Sequence, residues 1–370
     1  CETWAVGGCV RDSLRGAEPH DFDLCTSARP EEMLRVFAGE RLIKTGLRHG
    51  TLTVLTEGGP LEITSFRADG SYSDGRHPDG VRFVSSIRDD LARRDFTVGA
   101  MAWHPERGLF DPFGGREDLE NRVLRAVGDP DMRFAEDALR ILRAVRFASE
   151  LGFSIEENTA AAMERQAGRL ALIAPERVRE ELTRLLCGRW VQRTLLGYTA
   201  IIGAALPELR PMFGCTQDNP HHCYDVWGHT VRAVGQVPPE PCLRWAMLLH
   251  DSGKPACKTV DEQGVGHFRG HPKASRALAE RLLPRLRFSN EDSERILLLV
   301  EQHDRSLGDS DKLVRRRLDA LEVGGALHKA LDKAGLILDL GHVRLGADDD
   351  VAHALAGDAV VLGDLGEGQV

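Results

Sequence analysis

The chain has little of several things that would settle its class early. Its eight cysteines (Cys1, Cys9, Cys25, Cys187, Cys215, Cys223, Cys242, Cys257) contain no CxxC pair and no framework spacing. That excludes a disulfide-stapled scaffold and a zinc ribbon, and predicts reduced, mostly buried thiols in a cytoplasmic protein. No apolar run approaches the roughly eighteen residues needed to cross a bilayer, so no membrane partner is expected. No signal peptide is recognisable and the first residue is Cys1, so the native start is expected to lie upstream. Low-complexity tracts are missing too. What remains is 370 residues, 42% apolar and 28% charged, enough for two or three domains with proper cores.

Positive charge is also scarce, with a net charge of −9. From Asp339 onward seven acids face Arg344 alone, which leaves only −3 on residues 1–338. Arg133–Arg193 is locally basic, with eleven arginines against nine acids. A local basic face is enough to touch phosphates; a strongly basic, sequence-blind RNA binder is not indicated.

The first informative stretch is Val6–Leu24, VGGCVRDSLRGAEPHDFDL. Side chains alternate along a strand, so Asp21 and Asp23 point the same way, with Phe22 and Leu24 expected to pack on the other side. Two adjacent carboxylates repel unless a cation lies between them, and a hard divalent ion such as Mg²⁺ suits oxygen ligands. Gly7 and Gly8 permit close backbone approach to phosphate at a helix start, and Arg11 would reach a triphosphate as a forked donor. A lone D-x-D or Gly-Gly is usually nothing more than a strand or a turn. The combination points to phosphoryl or nucleotidyl transfer.

Strands are predicted at Trp4–Val6, Phe22–Cys25, Thr51–Thr56 and Leu61–Phe66. A helix is expected over Met33–Phe37, started by Ser27 with Glu31 and Glu32. Residues 1–127 thus read as a small mixed sheet with helices on one side. Arg67–Arg82 has the composition of a mobile loop. After Pro130 the pattern turns helical: Ala135–Ser149 and Ala174–Leu186, then, past a Pro-rich break at Leu206–His222, Cys223–Val234, Cys242–Gly253, Pro272–Leu283 and Asn290–His303. On Ala135–Ser149, Asp137 and Arg140 are i,i+3 neighbours, with Arg143 and Arg146 continuing the fan. Such a face is usually just solvated, yet Asp plus Arg also offers an acceptor and a donor to a base edge.

In order, GGCVRD with DFD, TGLRHGTLTV, LEITSFR, DGRHP, RRDFTV, DPFGG-x-x-DL and EDALRILRAVRF resemble the bacterial (class II) tRNA CCA-adding nucleotidyltransferases and their poly(A) polymerase relatives, over residues 4 to 190. The resemblance implies an α+β fold: a nucleotidyltransferase head (1–127), an all-α neck binding nucleobase and RNA (128–205), an all-α HD domain (221–335) and an acidic, Gly-rich tail (336–370). It implies that Asp21 and Asp23 are catalytic and hold Mg²⁺, and that Gly8 and Arg11 meet the triphosphate. Arg94 and Asp95 would meet the ribose side, and Asp137 and Arg140 would pair with CTP or ATP, helped by Arg143 and Arg146. Glu62 is a further carboxylate or general base. The partner would be the tRNA 3′ end. RRDFT is usually followed by a small residue and Asn, and Val98-Gly99-Ala100 departs from that. The basic, aromatic segment of poly(A) polymerases is not evident, and the loop motif DGRHP, absent from CC-only enzymes, is present. Full CCA addition is favoured and A-only addition stays open. YDVWGHTV, LLHDSG and VEQHD resemble the HD metal-hydrolase pattern. It implies His229, His250, Asp251 and Asp304 as ligands of a second divalent metal (Ni, Mn or Mg), with His271 a looser candidate. An HD phosphohydrolase or 2′,3′-cyclic phosphodiesterase as the main activity is the alternative. Oligomeric state is not readable.

Overall fold

The computed structural model describes residues 1–19, 22–69, 81–219 and 223–304. Asp21, the DGRHP motif and residues 336–370 lie outside them.

The head is built on a seven-stranded sheet with strand order β3-β4-β5-β2-β1-β8-β9. Its strands are β1 (Thr3–Val6), β2 (Asp23–Thr26), β3 (Arg41–Ile43), β4 (Thr51–Thr56), β5 (Gly59–Ser65), β8 (Ala102–His104) and β9 (Gly108–Phe110), while β6 (Arg67–Asp69) and β7 (Val81–Phe83) form a separate ribbon. Only β2 and β5 run parallel among these neighbours, and their register sets Asp23 beside Glu62. The Thr/aliphatic alternation of β4 buries Leu52 and Val54 on one face, where Met33 of α2 (Pro30–Val36) joins the same small core. That helix starts at Arg29, whose backbone N–H donates to Glu32 (2.8 Å). Ser27, the expected start, instead accepts from the Glu2 backbone N–H (2.9 Å), sewing β1 to β2.

Helices α1 (Gly8–Leu14) and α3 (Ile87–Ala92) complete the frame of the site, and α4 (Gly115–Glu120) closes the head. Asp90 of α3 is fully buried. It accepts from Arg93 Nε (3.0 Å), the Arg67 backbone N–H (3.3 Å) and the Cys25 thiol (3.4 Å), and pairs with Arg94 (3.5 Å). Burial alone would raise its pKa; the charges of Arg93 and Arg94 outweigh that and hold it below the ordinary value. Burial and Asp90 together push the Cys25 thiol up to about 12.

The neck runs α5 (Pro130–Glu136), α6 (Leu139–Leu151), α7 (Glu157–Gln166), α8 (Pro175–Leu186), α9 (Val191–Gly197) and α10 (Thr199–Ala205). The single helix expected over Ala135–Ser149 is broken at Asp137, which adopts φ −142° and ψ 102°. The cause is local: its carboxylate caps the backbone N–H of Leu139 (3.0 Å), a bond a short Asp makes more readily at a helix end than within one. The HD unit comprises α11 (Val226–Gln236), α12 (Pro241–Leu249), α13 (Lys254–Cys257), α14 (His271–Arg285) and α15 (Asn290–Gln302). The Pro-rich stretch does interrupt the helices, but Leu206, Leu209 and Met212 are buried in one cluster that continues from the neck into the HD unit. Trp245 of α12 fixes this junction. It is fully buried, its indole N–H donates to Thr183 Oγ1 of α8 (2.9 Å), and Phe288 packs edge-on against it.

Two outcomes follow from these packing facts. Trp245→Ala should cost about 3–5 kcal/mol, and neck and HD unit should still unfold in one transition, because they share a core; two well-separated calorimetric transitions in the native protein would contradict this. For Asp90, the folded pKa lies below the unfolded value, so its stabilisation is complete above the unfolded pKa, about 3.9, and is lost as pH falls through the folded one. Urea midpoints should therefore drop between about pH 5 and pH 3, and drop less steeply in Asp90→Asn; equal slopes would refute the assignment.

Candidate functional site

The turn between β1 and α1 places Gly7 against Asp23 at the start of β2. Gly7 has φ +75°, and a Cβ there would come within 2.8 Å of Arg94 Nη1 and 4.0 Å of Asp23 Oδ2. A side chain would fill that space, so Gly7 keeps a gap open between the carboxylate, the guanidinium and the start of α1 at Gly8. Asp23 is exposed at the head of β2, and Glu62 is exposed beside it on β5. Adjacent in-register residues of paired strands share a face, so two hard oxygen donors flank the gap, and the set suits Mg²⁺. Phe22, expected on the opposite, packed side of the strand, is 53% exposed; β2 begins only at Asp23, and Leu24 alone packs inward.

Arg94 and Asp95 follow α3 rather than opening a helix. Arg94 Nη1 donates to the carbonyl of Gly99 (3.3 Å), so the residue that departs from the motif serves through its backbone. Asp95 is spoken for by the neck. Its Oδ2 accepts from Arg143 Nε (2.6 Å) and its Oδ1 from the Phe96 backbone N–H (2.9 Å). Burial would raise its pKa, but Arg143 outweighs this and holds it below the ordinary carboxylate value. In this arrangement Asp95 fixes α6 against the head, a different task from the ribose contact expected of it.

The expected arginines divide into two groups. Arg11 forks onto Asp12 (2.9 and 2.8 Å) and lies over the Phe147 ring, which Arg143 and Arg146 also approach. One neck aromatic thus gathers three of the expected cations at the head–neck junction. Arg146, however, is buried and bonded to Glu181 (2.5 Å) and Glu150 (2.6 Å), so its guanidinium is turned into the neck, away from a nucleotide. Asp137 and Arg140 are not helix-face neighbours as expected. Asp137 pairs with Arg177 of α8 (2.8 Å). Arg140 is buried, donating to Glu136 (2.6 Å), to the Arg133 carbonyl (3.2 Å) and across the junction to the Arg93 carbonyl (3.1 Å). Nearby, a polar cleft of about 310 Å³ opens between ribbon and neck, lined by Ala68, Arg82, Asp89, Arg93, Arg133 and Glu136 among others.

The second centre converges on Asp251, which is buried. Its Oδ2 is faced by Lys254 Nζ (2.9 Å), His250 Nε2 (3.2 Å) and His229 Nε2 (3.5 Å); its Oδ1 by His271 Nε2 (3.3 Å) and His303 Nε2 (3.6 Å). The histidine tautomers are fixed from behind. His250, His271 and His303 turn Nδ1 to the carbonyls of Met247 (2.7 Å), Phe268 (2.9 Å) and Val300 (2.7 Å). A carbonyl only accepts, so Nδ1 carries the hydrogen and each Nε2 of a neutral ring presents a lone pair. Burial lowers the pKa of His250, keeping that ring neutral. Lone pairs from His271 and His303, 3.1 Å apart, then face each other and a carboxylate. With neutral rings those lone pairs and Oδ1 repel one another, and Lys254 Nζ lies against Oδ2, so a metal ion fits the Oδ1 side of the carboxylate.

Two trios, His229–His250–Asp251 and Asp251–His271–His303, have the spacing to hold a metal ion. Asp304, expected as the fourth ligand, is instead exposed, and its neighbour His303 takes the buried place. Helical spacing does not separate the two: counted from Ile296, His303 is i+7 and Asp304 i+8, and both positions belong to an apolar stripe.

Residues 3–125 match the poly A polymerase head domain, 152–211 the probable RNA and SrmB-binding site of polymerase A, and 221–340 the HD domain. The CCA-adding enzyme of Levilactobacillus brevis is 46% identical over 212 residues, 57% of this chain and 52% of the relative. That of Geobacillus kaustophilus is 47% identical over 194 residues, 52% and 48% of the two chains. The chain thus spans about half the length of the curated relatives it matches. Among solved structures, the Bacillus stearothermophilus CCA-adding enzyme in complex with CTP superposes with a TM-score of 0.62 at 29% identity, covering 90% of this chain and 77% of that one. A tRNA-processing enzyme with CTP, 21% identical with a TM-score of 0.56 over 96% and 93% of the chains, shares the fold. No described helix is long and apolar enough to cross a membrane. The head, the probable RNA- and SrmB-binding segment and the HD domain are thus matched in that order along one chain.

Proposed function

We propose that the protein adds C and A from CTP and ATP to the 3′ end of tRNA in an Mg²⁺-dependent reaction. The observation that carries this reading is the meeting of head and neck: the gap at Gly7, Asp23 and Arg94 lies on the head side of a junction whose neck side bears Asp137 and Arg140. The primer 3′-oxygen forms a bond to the α-phosphorus as the bond to the β-phosphate bridge breaks, and pyrophosphate leaves. Mg²⁺ bound by Asp23, with Asp21 and Glu62 as further candidate ligands, would offset the charge of the triphosphate and the attacking oxygen. Gly7 leaves space for phosphate, and Gly8 starts α1 against it. Arg94, pinned by Asp90 and the Gly99 carbonyl, presents a fixed cation to that space. Asp95 holds Arg143, and through it α6, at a set distance from the metal strand.

Base choice follows from donor and acceptor pattern. Cytosine and adenine both present an exocyclic amine beside an unprotonated ring nitrogen; uracil and guanine present a carbonyl beside a ring N–H. An acceptor at Asp137 and a donor at Arg140 match the first pair and mismatch the second. Three of the five N–H donors of Arg140 are taken by protein acceptors, which leaves two for a base.

A second reading rests on a separate observation, the buried carboxylate of Asp251 facing histidine lone pairs. There the HD unit is a metal-dependent phosphohydrolase taking phosphomonoesters or 2′,3′-cyclic phosphates, with Ni²⁺, Mn²⁺ or Mg²⁺.

With tRNA lacking its CCA end and labelled CTP and ATP, incorporation should require Mg²⁺; no incorporation would sink the first reading, and A alone would narrow it to A addition. Asp23→Ala should lower incorporation by roughly 10² or more, as removal of a key charge contributor does. For the second reading, phosphatase activity with Ni²⁺ or Mn²⁺ should vanish in His303→Ala and survive in Asp304→Ala. The reverse pattern would restore Asp304 as the ligand.

A further inference from the structure

By spacing alone the HD centre has room for two ions. Two bonds of about 2.1 Å to one metal, in a tetrahedral or octahedral shell, set their donor atoms about 3.0–3.4 Å apart. On one side of Asp251, its Oδ1 and the Nε2 atoms of His271 and His303 stand 3.1, 3.3 and 3.6 Å from one another. On the other side, Oδ2 lies 3.2 Å from His250 Nε2 and 3.5 Å from His229 Nε2. A carboxylate whose two oxygens each meet a pair of imidazoles is what a bridge between two metals requires. What distinguishes the two sides is Lys254, three residues after Asp251.

Lys254 Nζ lies 2.9 Å from Oδ2. A metal ion bonded to Oδ2 at about 2.1 Å could be no farther than about 5 Å from that nitrogen. A dication and an ammonium would then be pressed together in a buried site, where water screens them little. The ammonium is also held where it is. Lys254 is buried, and Nζ donates to Gln217 Oε1 (2.9 Å). Gln217 is buried too, and its Nε2 donates to the Tyr224 carbonyl (3.1 Å), which leaves Oε1 as the end that faces the lysine. Behind it, Gly266 donates its N–H to the Asp218 carbonyl (2.8 Å), and a Cβ at Gly266 would collide with the Gln217 carbonyl. The backbone is packed too closely there for Gln217 to withdraw. Phe268 closes a further side, its ring centre 5.4 Å from Nζ. Swinging Lys254 away would strand the Gln217 oxygen and leave the ammonium buried without its carboxylate.

We infer that Lys254 makes the HD centre a one-metal site: the ion lies on the Oδ1 side with His271 and His303, and the ammonium takes the place of a second ion on the Oδ2 side. His229 and His250 are then neighbours of a built-in cation, and not ligands, in the native protein. This rests on the centre holding a metal, as the second reading above does, and adds how many ions and on which side. A neutral side chain at position 254 would release the Oδ2 side, because the three donors there already have the spacing for a dication.

The test counts bound Ni²⁺, an ion that imidazole ligands suit, by equilibrium dialysis of the untagged full chain. Asp23→Ala is carried throughout, so that the metal strand of the head is disarmed. In that background the native centre should hold one ion per chain; His303→Ala should lose it and His229→Ala should keep it. Lys254→Met should hold two, and Lys254→Met/His229→Ala one again, a dependence that a merely loosened fold would not produce. Where Lys254→Met does not fold, Lys254→Gln carries the same comparison. Two ions with Lys254 in place overturn the inference. So does a single ion lost in His229→Ala and kept in His303→Ala, or one ion in both folded Lys254 variants. None of these three outcomes touches hydrolysis, so the second reading stands or falls by its own assay. No ion at all overturns the inference and the second reading together. One ion with Lys254 and two without it, beside no phosphatase activity, sustains the inference and ends that reading.

Discussion

The arginines of α6 are the constraint on which the arrangement depends. Arg140 reaches the Arg93 carbonyl and Arg143 reaches Asp95, both in the head, while Arg146 and the second side of Arg143 turn to Glu181 in the neck. Buried ion pairs of this kind add little net stability, because desolvation consumes most of the Coulomb gain. What they supply is geometry. A hydrophobic interface would tolerate a sliding α6; a helix whose charges each have one complementary partner does not. In the proposed function bond formation falls to the head and base selection to α6, and their relative position would have to be reproducible to well under about an ångström.

Much of the head was legible because its signals are local. The alternation in Thr51–Thr56 marked the strand. Of the residues that the motifs singled out, the structure brings Gly7, Asp23 and Arg94 around one gap. What stayed hidden was how partners are shared over distance. RRDF reads as a nucleotide-facing fork, but Asp95 bonds to a residue forty-eight positions later. EDALR reads as one continuous helix face, since nothing in its periodicity shows that Asp137 will cap a new helix instead. A charge at helical spacing has several possible partners, and only the packing of α8 on α6 decides which one it meets. Arg177, Glu181 and Arg184 of α8 were visible as i, i+4, i+7 of alternating sign, a pattern that by itself describes any solvated face.

The HD unit shows the same limit from the other side. His250-Asp251 was recognisable as a pair, and the sequence could suggest an HD acid at 304 because a carboxylate is the conventional last ligand. Helical spacing admits both positions; the structure buries His303 beside Asp251 and leaves Asp304 exposed. Lys254, unmarked by any metal-ligand rule, stands closer to Asp251 than any histidine does. It supplies positive charge to the carboxylate while the histidines supply lone pairs, so the centre is compensated in part by the chain itself.

That the neck and HD unit share one core changes what the second centre can be. Trp245 leans on Thr183 of α8, two residues from Glu181. Asp251 begins two residues after α12 ends, and Trp245 lies within that helix. The same helix pair, α8 and α12, therefore carries the ion pairs to α6 on one face and the approach to the Asp251 cluster on the other. A rigid, fully packed indole is a poor place for a flexible tether and a good one for a strut. The HD unit is thus part of the frame that holds α6 in register, whatever ion its own cluster takes.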